Sequence, residues 1–227
     1  MDFNLFYRRW SLIASAVLLG GATWGVLIHA IWPLIAMGIL LFGIWVALGR
    51  RFLPTMPLLI GYANWVTLIR LLLVLTLLLL YNFLSDMQLF WGFLASILLD
   101  GVDGYVARRW HQESEFGAAF DMETDALLVL GLSWLHVEQE MAGQWLLLPG
   151  SMRYIYELLF QWLPQDPGSF PPKVVRATIA VIFFFALITP FVLPDRIAYQ
   201  ILNVAGTLIM LSFLSAIISR LLRLFNP

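Results

Sequence analysis

Four aspartates lie close together in the middle of this 227-residue chain. Asp100 and Asp103 are three positions apart, and Asp121 and Asp125 are four positions apart. On a helix, residues at these spacings share one face, with their side chains roughly 5–6 Å apart. Four carboxylates this close repel one another unless cations neutralise them. The cluster therefore predicts a metal site, and its hard oxygen ligands favour Mg²⁺ or Mn²⁺ over zinc.

Two glycines and one arginine are interleaved with these aspartates. Gly104 and Gly117 remove side chains where a ligand or a helix backbone must come close. Arg108 offers a planar set of donors that suits a phosphate. The alternative explanation is that the aspartates line a water-filled cavity or form a cation pathway. The glycines, the arginine and the lack of further acids at mid-membrane positions favour an enzyme that handles phosphate.

The composition of the chain is that of a membrane protein. Hydrophobic residues make up 61% of it and charged residues only 12%, whereas soluble proteins carry about 25%. An ionised side chain at membrane depth is costly, so it persists where it is paired, hydrated or bound to metal. The chain has no cysteine, which excludes disulfides, zinc–thiolate sites and thiol catalysis. We expect no nucleic-acid partner.

Eight apolar segments are long enough to cross a hydrocarbon core of about 30 Å. They predict an all-α fold, a polytopic membrane helical bundle with about eight transmembrane helices. Residues 1–50 are predicted to form a transmembrane hairpin, and residues 51–63 an interfacial linker or short amphipathic helix. The predicted spans are residues 11–30, 32–48, 65–84, 89–109, 117–137, 144–163, 174–193 and 199–222.

The basic residues predict how the bundle is oriented. If the eight spans are correct, ten arginines and lysines lie on one side and only Arg196 lies on the other. Lys and Arg are enriched in cytoplasmic loops, so both termini and the aspartates are predicted at the cytoplasmic face. The compact, loop-poor chain favours a bacterial inner membrane. The ten residues are Arg8, Arg9, Arg50, Arg51, Arg108, Arg109, Lys173, Arg176, Arg220 and Arg223.

The complete pattern around the aspartates resembles the signature of the CDP-alcohol phosphotransferase family. Eight fixed residues with matching gaps fall within 26 positions. The resemblance covers residues 64–227 and implies a six-helix core, which leaves the first two spans outside it. Family members are commonly homodimers, so the resemblance also implies a homodimer. The pattern reads Asp100-x2-Asp103-Gly104-x2-Ala107-Arg108-x8-Gly117-x3-Asp121-x3-Asp125.

The resemblance implies a reaction in which an alcohol attacks a CDP-linked substrate and CMP leaves. The four aspartates would hold two divalent ions, Mg²⁺ or Mn²⁺, and Asp125 would also be the general base. The residues expected around the CDP group are Thr67, Asp103, Gly104, Ala107, Arg108 and Gly117. The candidates for contacts with the acceptor or a phosphate are Arg70, Arg153, Lys173 and Arg176.

Several of these candidates also have ordinary structural explanations. Thr67 and Arg70 are equally well explained as a helix cap and a snorkelling arginine. Arg153 and Glu157 are four positions apart, so a structural ion pair is the favoured role, although Arg153 resembles a family arginine near the acceptor pocket. The two basic residues at the start of the seventh span suit an acceptor phosphate, a lipid headgroup or the positive-inside rule.

We expect an integral-membrane transferase of phospholipid biosynthesis that moves a phosphatidyl group from CDP-diacylglycerol to an alcohol acceptor. One alternative is phosphocholine or phosphoethanolamine transfer from a CDP-alcohol to diacylglycerol. In a different class, the alternative is a divalent-cation transporter or a silent scaffold. Residues 120–126 match neither the glycerophosphate-using nor the serine-using pattern. The stretch 112–125 is closer to phosphatidylinositol synthases, but Ala126 stands where they often have a basic residue, so the acceptor is left open. The added negative charge of Glu123 favours a cationic or neutral acceptor.

Overall fold

The computed structural model describes residues 3–52, 61–160 and 172–225. Within these ranges the chain forms eight α-helices and no strand, which confirms the predicted all-α fold. Most of the predicted interfacial linker lies outside the described residues. The helices are α1 (Phe3–Ile28), α2 (Trp32–Gly49), α3 (Tyr62–Leu80), α4 (Asp86–Arg109), α5 (Glu115–Glu138), α6 (Leu147–Phe160), α7 (Lys173–Ile188) and α8 (Asp195–Phe225).

Six of these helices are long and apolar enough to cross a membrane, namely α1 to α4, α7 and α8. The described residues therefore form eight helices, as predicted, but six of these helices meet the criterion for a membrane span. The described part of α6 has only 14 residues. Helix α5 carries five acidic residues and lies inside the bundle, where neighbouring helices bury most of its length. Its carboxylates can thus face protein rather than lipid.

Helices α1 and α2 form an antiparallel hairpin that packs directly on the other helices. The hairpin turns at His29, which has a φ of 50°. Helix α1 contacts α5 and α6, and α2 contacts α3 and α5. Gly25 permits the close approach to α5, because a Cβ at this position would lie 3.1 Å from Nε1 of Trp134. The hairpin is therefore part of the helix packing and not a separate anchor.

A cluster of aromatic rings joins the hairpin to the start of α5. Trp45 of α2 lies at its centre and is 1% exposed. Its ring stacks on Phe116 of α5, with centroids 5.1 Å apart and an interplanar angle of 8°. It also stacks on Phe6 of α1 at 5.4 Å. Such ring pairs contribute stability beyond the burial of their apolar surface. They fix the hairpin against the end of α5 that carries Asp121 and Asp125.

The connection between α4 and α5 brings the two aspartate pairs together. Helix α4 ends at Arg109, and α5 begins after Ser114, whose hydroxyl accepts a hydrogen bond from Gly117 N at 3.0 Å. His111 has a φ of 50° in this short connection. Helices joined by so few residues run antiparallel, and α3 packs against both. The site is therefore framed by α3, α4 and α5.

Candidate active site

The four aspartates converge on one guanidinium group, that of Arg70 in α3. Its Nη1 lies 2.5 Å from Oδ1 of Asp100 and 3.0 Å from Oδ1 of Asp121. The same nitrogen lies 3.7 Å from Oδ2 of Asp103. Its Nη2 lies 2.5 Å from Oδ1 of Asp125. The structure thus brings the two pairs together, as their spacing predicts, and adds a cation between them.

Arg70 is buried, with only 1% of the residue exposed. A snorkelling arginine would extend its charged end to the membrane surface, so that interpretation is wrong for Arg70. Its side chain instead runs into the bundle and offsets part of the charge of the cluster. Ionised groups at this depth persist when they are paired in this way.

Thr67 lies one helical turn before Arg70 and holds one of the aspartates. Its hydroxyl donates to Oδ2 of Asp103 at 2.8 Å. Both residues are buried, at 2% and 5% exposure. Thr67 is therefore an internal residue of α3 that orients a carboxylate, and its role as a helix cap is excluded.

The carboxylates fit a divalent cation. One oxygen from each of Asp100, Asp103 and Asp121 lies within 4.8 Å of the other two, and oxygen is the donor that Mg²⁺ and Mn²⁺ prefer. Among the described residues, Oδ1 of Asp121 accepts no well-aligned hydrogen bond although it is buried. The side chains of Asp100, Asp121 and Asp125 are 46%, 36% and 31% exposed. The cluster is thus open to a ligand on one side.

Three of the predicted CDP-binding residues lie together in the last two turns of α4. Arg108 is exposed at the end of α4. Its side chain lies over Gly104, where a Cβ would come within 3.4 Å of Nη1 of Arg108. Ala107 is half-buried beside it. The Arg108 side chain therefore lies back along its own helix, at van der Waals distance from position 104.

Gly117 permits the close contact between α5 and the start of α3. A Cβ at this position would lie 2.8 Å from Oδ1 of Asn64 and 3.1 Å from Oγ of Ser114. Asn64 is 4% exposed. Since α3 carries Arg70 and α5 carries two of the four aspartates, this contact also sets the geometry of the cluster.

Replacing Gly117 by alanine is expected to destabilise the protein by about 1–3 kcal/mol, because the added methyl group overpacks a tight contact. The matched control is Gly43→Ala in α2, where nothing lies within 4 Å of the added Cβ. Alanine favours a helix over glycine, so the control should be neutral or stabilising. Thermal unfolding in detergent measures both. Equal midpoints for the two variants would contradict the packing argument.

The spacing of Arg153 and Glu157 predicts an ion pair between them. In the structure, however, Glu157 is not the main partner of Arg153. Nη1 of Arg153 lies 3.9 Å from Oε1 of Glu157, a weak contact. Nη2 instead donates to Oε1 of Glu123 at 2.8 Å and to the hydroxyl of Tyr7 at 2.9 Å. The hydroxyl of Tyr7 donates to the same glutamate oxygen at 3.0 Å. Sequence reasoning missed both the role of Tyr7 and the pairing of Glu123.

One signal for the pairing of Glu123 is present in the sequence. Glu123 lies two positions from both Asp121 and Asp125. Two residues correspond to a rotation of about 200° around a helix. Glu123 therefore faces away from the aspartates, and the Glu123 carboxylate is 4% exposed beside Arg153.

A cavity of about 350 Å³ lies between α6, α7 and α8. Two of the predicted acceptor contacts line it, Arg153 on α6 and Arg176 on α7. The side chain of a third, Lys173, lies outside the described residues. The Arg153 guanidinium is also close enough to the Asp125 carboxylate to interact with it electrostatically. The residues that line the cavity include Arg153, Tyr156, Glu157, Arg176, Ile209 and Phe213.

Comparison with known proteins gives one family. The family described as CDP-alcohol phosphatidyltransferase matches residues 61–218. The CDP-diacylglycerol–glycerol-3-phosphate 3-phosphatidyltransferase of Pseudomonas fluorescens is 29% identical over 168 residues, which cover 66% of this chain and 85% of that protein.

Proteins of the same name from two other bacteria match a shorter part of the chain. The one from Cereibacter sphaeroides is 31% identical over 34% of this chain and 35% of its own length. The one from Escherichia coli is 30% identical over 32% of this chain and 40% of its own length. No solved structure matches the chain.

Proposed function

Because this chain belongs to the CDP-alcohol phosphatidyltransferase family, we propose that it transfers a phosphatidyl group from CDP-diacylglycerol to a phosphorylated alcohol, with divalent cations and release of CMP. The family and the six apolar helices support an integral-membrane transferase of phospholipid synthesis. The family also weighs against a cation transporter. The observation that carries the proposal is the convergence of four aspartates at one partly open site.

In this proposal, the acceptor hydroxyl attacks the phosphorus that carries the diacylglycerol group. A new P–O bond forms, the P–O bond to CMP breaks, and the hydroxyl proton passes to Asp125. Asp100, Asp103, Asp121 and Asp125 would hold two divalent cations, which supply charge neutralisation for the pyrophosphate and the leaving CMP. Thr67 keeps Asp103 in position through the hydrogen bond of 2.8 Å.

The CDP group would lie along the open side of the cluster. Arg108 would donate to its phosphates, since a guanidinium offers paired donors that match phosphate oxygens. Gly104 and Gly117 allow the nucleotide and the helix backbone to come close. Arg70 would contact a phosphate from inside the cluster, where it already lies between the carboxylates.

A phosphorylated acceptor is supported by the charges of the α6–α8 cavity. Arg153 and Arg176 line it together with one acid, Glu157, so the lining carries a net positive charge that suits a phosphate. The charge of Glu123 does not disfavour such an acceptor, because Arg153 and Tyr7 bind that carboxylate. The names of the bacterial relatives make glycerol 3-phosphate the first acceptor to test.

We also propose the orientation and the assembly that the sequence suggests. Both termini and the aspartates would lie at the cytoplasmic face of a bacterial inner membrane, where soluble phosphorylated alcohols are found. The distribution of basic residues supports this orientation. The protein would act as a homodimer, in keeping with the resemblance of its signature.

The test is CMP release by purified protein with a panel of donors and acceptors. We expect release with CDP-diacylglycerol and glycerol 3-phosphate or inositol phosphate to be at least about tenfold faster than with glycerol, serine, inositol, choline or ethanolamine, because a phosphate forms charge-assisted hydrogen bonds. EDTA should abolish release, and Mg²⁺ or Mn²⁺ should restore it.

Each contrary result has a definite meaning. Equal rates with inositol or serine would reject the phosphorylated acceptor. Release from CDP-choline with diacylglycerol would support the alternative donor. Full activity in EDTA would reject the metal requirement. Cation flux in liposomes without nucleotide would support the transporter.

A further inference from the structure

Helix α1 contributes one side chain to a charged pair that borders the α6–α8 cavity. Tyr7 belongs to the N-terminal hairpin, outside the matched residues 61–218. Its hydroxyl donates to Oε1 of Glu123 at 3.0 Å and accepts from Nη2 of Arg153 at 2.9 Å. The third contact, from Arg153 to Glu123, is 2.8 Å long. Three helices therefore meet in one closed triangle of hydrogen bonds.

The hairpin fixes the position of the Tyr7 ring. The ring is stacked with Phe3, with an interplanar angle of 3° and centroids 6.1 Å apart. It meets Trp45 of α2 edge-on at 5.9 Å, and Trp45 itself is 1% exposed. Since both helices of the hairpin hold the ring, its hydroxyl has a defined place beside the glutamate.

This arrangement directs the guanidinium of Arg153. The group is planar, so holding Nη2 against Tyr7 and Glu123 fixes the direction of Nη1. Arg153 lines the cavity, and its side chain is 20% exposed. The Tyr7 hydroxyl closes the triangle, so its three hydrogen bonds polarise one another and hold the guanidinium in one orientation.

We propose that Tyr7 is a positioning residue for Arg153, and that the N-terminal hairpin thereby sets the affinity of the cavity for the phosphorylated acceptor. This inference depends on the proposed function, because it assigns the acceptor phosphate to Arg153. It gives the hairpin a role in the reaction besides its part in the helix packing.

The test is Tyr7→Phe, which keeps the ring and its packing and removes the hydroxyl. We expect the KM for glycerol 3-phosphate to rise about tenfold, the effect of one hydrogen bond to a charged group. The KM for CDP-diacylglycerol and kcat should stay close to those of the wild type, while the thermal unfolding midpoint should fall by a few degrees because the buried Glu123 carboxylate loses one donor. The matched control is Tyr199→Phe in α8, at a residue that is 44% exposed, and it should change none of these quantities.

Combining Tyr7→Phe with a substitution of Arg153 distinguishes a positioning role of Tyr7 from a general structural effect. In Arg153→Lys, which keeps the charge but lacks the planar group, Tyr7→Phe should add no further rise in the acceptor KM. A further tenfold rise there would overturn the inference, as would an unchanged acceptor KM in Tyr7→Phe alone. So would a fall in kcat alongside the fall in the unfolding midpoint. A wild-type protein that uses no phosphorylated acceptor would instead refute the proposed function itself.

Discussion

Replacing Asp125 by asparagine is expected to lower the rate of CMP release about 100- to 10,000-fold, the contribution of a positioned general base. Asp125 accepts a hydrogen bond from Nη2 of Arg70 through Oδ1, and its side chain is 31% exposed. It can therefore reach an acceptor hydroxyl while Arg70 holds it in place. Asparagine has nearly the same size and keeps an oxygen for Arg70, but it cannot take up the proton.

CMP release and CDP-diacylglycerol binding should be measured on the same preparation. Binding should be largely retained, because the other three aspartates still surround the cation site. The matched control is Asp86→Asn, at an exposed aspartate in the first turn of α4. Turnover near the wild-type rate would remove Asp125 from the role of base. Recovery of turnover at high Mg²⁺ would make it a metal ligand alone.

Replacing Arg70 by glutamine is expected to destabilise the protein by about 3–5 kcal/mol, the usual cost of removing one partner from a buried ion pair. Arg70 is 1% exposed and contacts all four aspartates. Without its charge, the carboxylates repel one another. Divalent cations that bind the folded cluster can offset this repulsion, so the loss should be smaller in Mg²⁺ than in EDTA.

Thermal unfolding in detergent, with Mg²⁺ and with EDTA, measures this effect. The matched control is Arg109→Gln, at an exposed arginine in the last turn of α4. The control should unfold at the wild-type temperature in both buffers. Equal destabilisation of Arg70→Gln in Mg²⁺ and in EDTA would show that cations do not compensate for the missing charge.

The sequence by itself determined the helical fold and the convergence of the aspartates. Long apolar segments form helices in a membrane because each backbone group must be bonded within its own segment. Spacings of three and four residues place two side chains on one helix face. The short connection after Arg109 then turns the chain back, and α4 and α5 both pack against α3, so the pairs 100/103 and 121/125 face the same place. These features depend on local geometry, which a sequence pattern encodes directly.

Only the tertiary structure decided which other side chains meet the acids. Arg70 lies 55 positions from Asp125, and Tyr7 lies 116 positions from Glu123. Such contacts depend on which faces of helices distant in sequence pack together, and apolar faces of similar composition do not specify that choice locally. The same packing placed α5 inside the bundle and turned Arg153 from Glu157 toward Glu123. The hairpin's contact with Arg153 therefore became visible only in the folded chain.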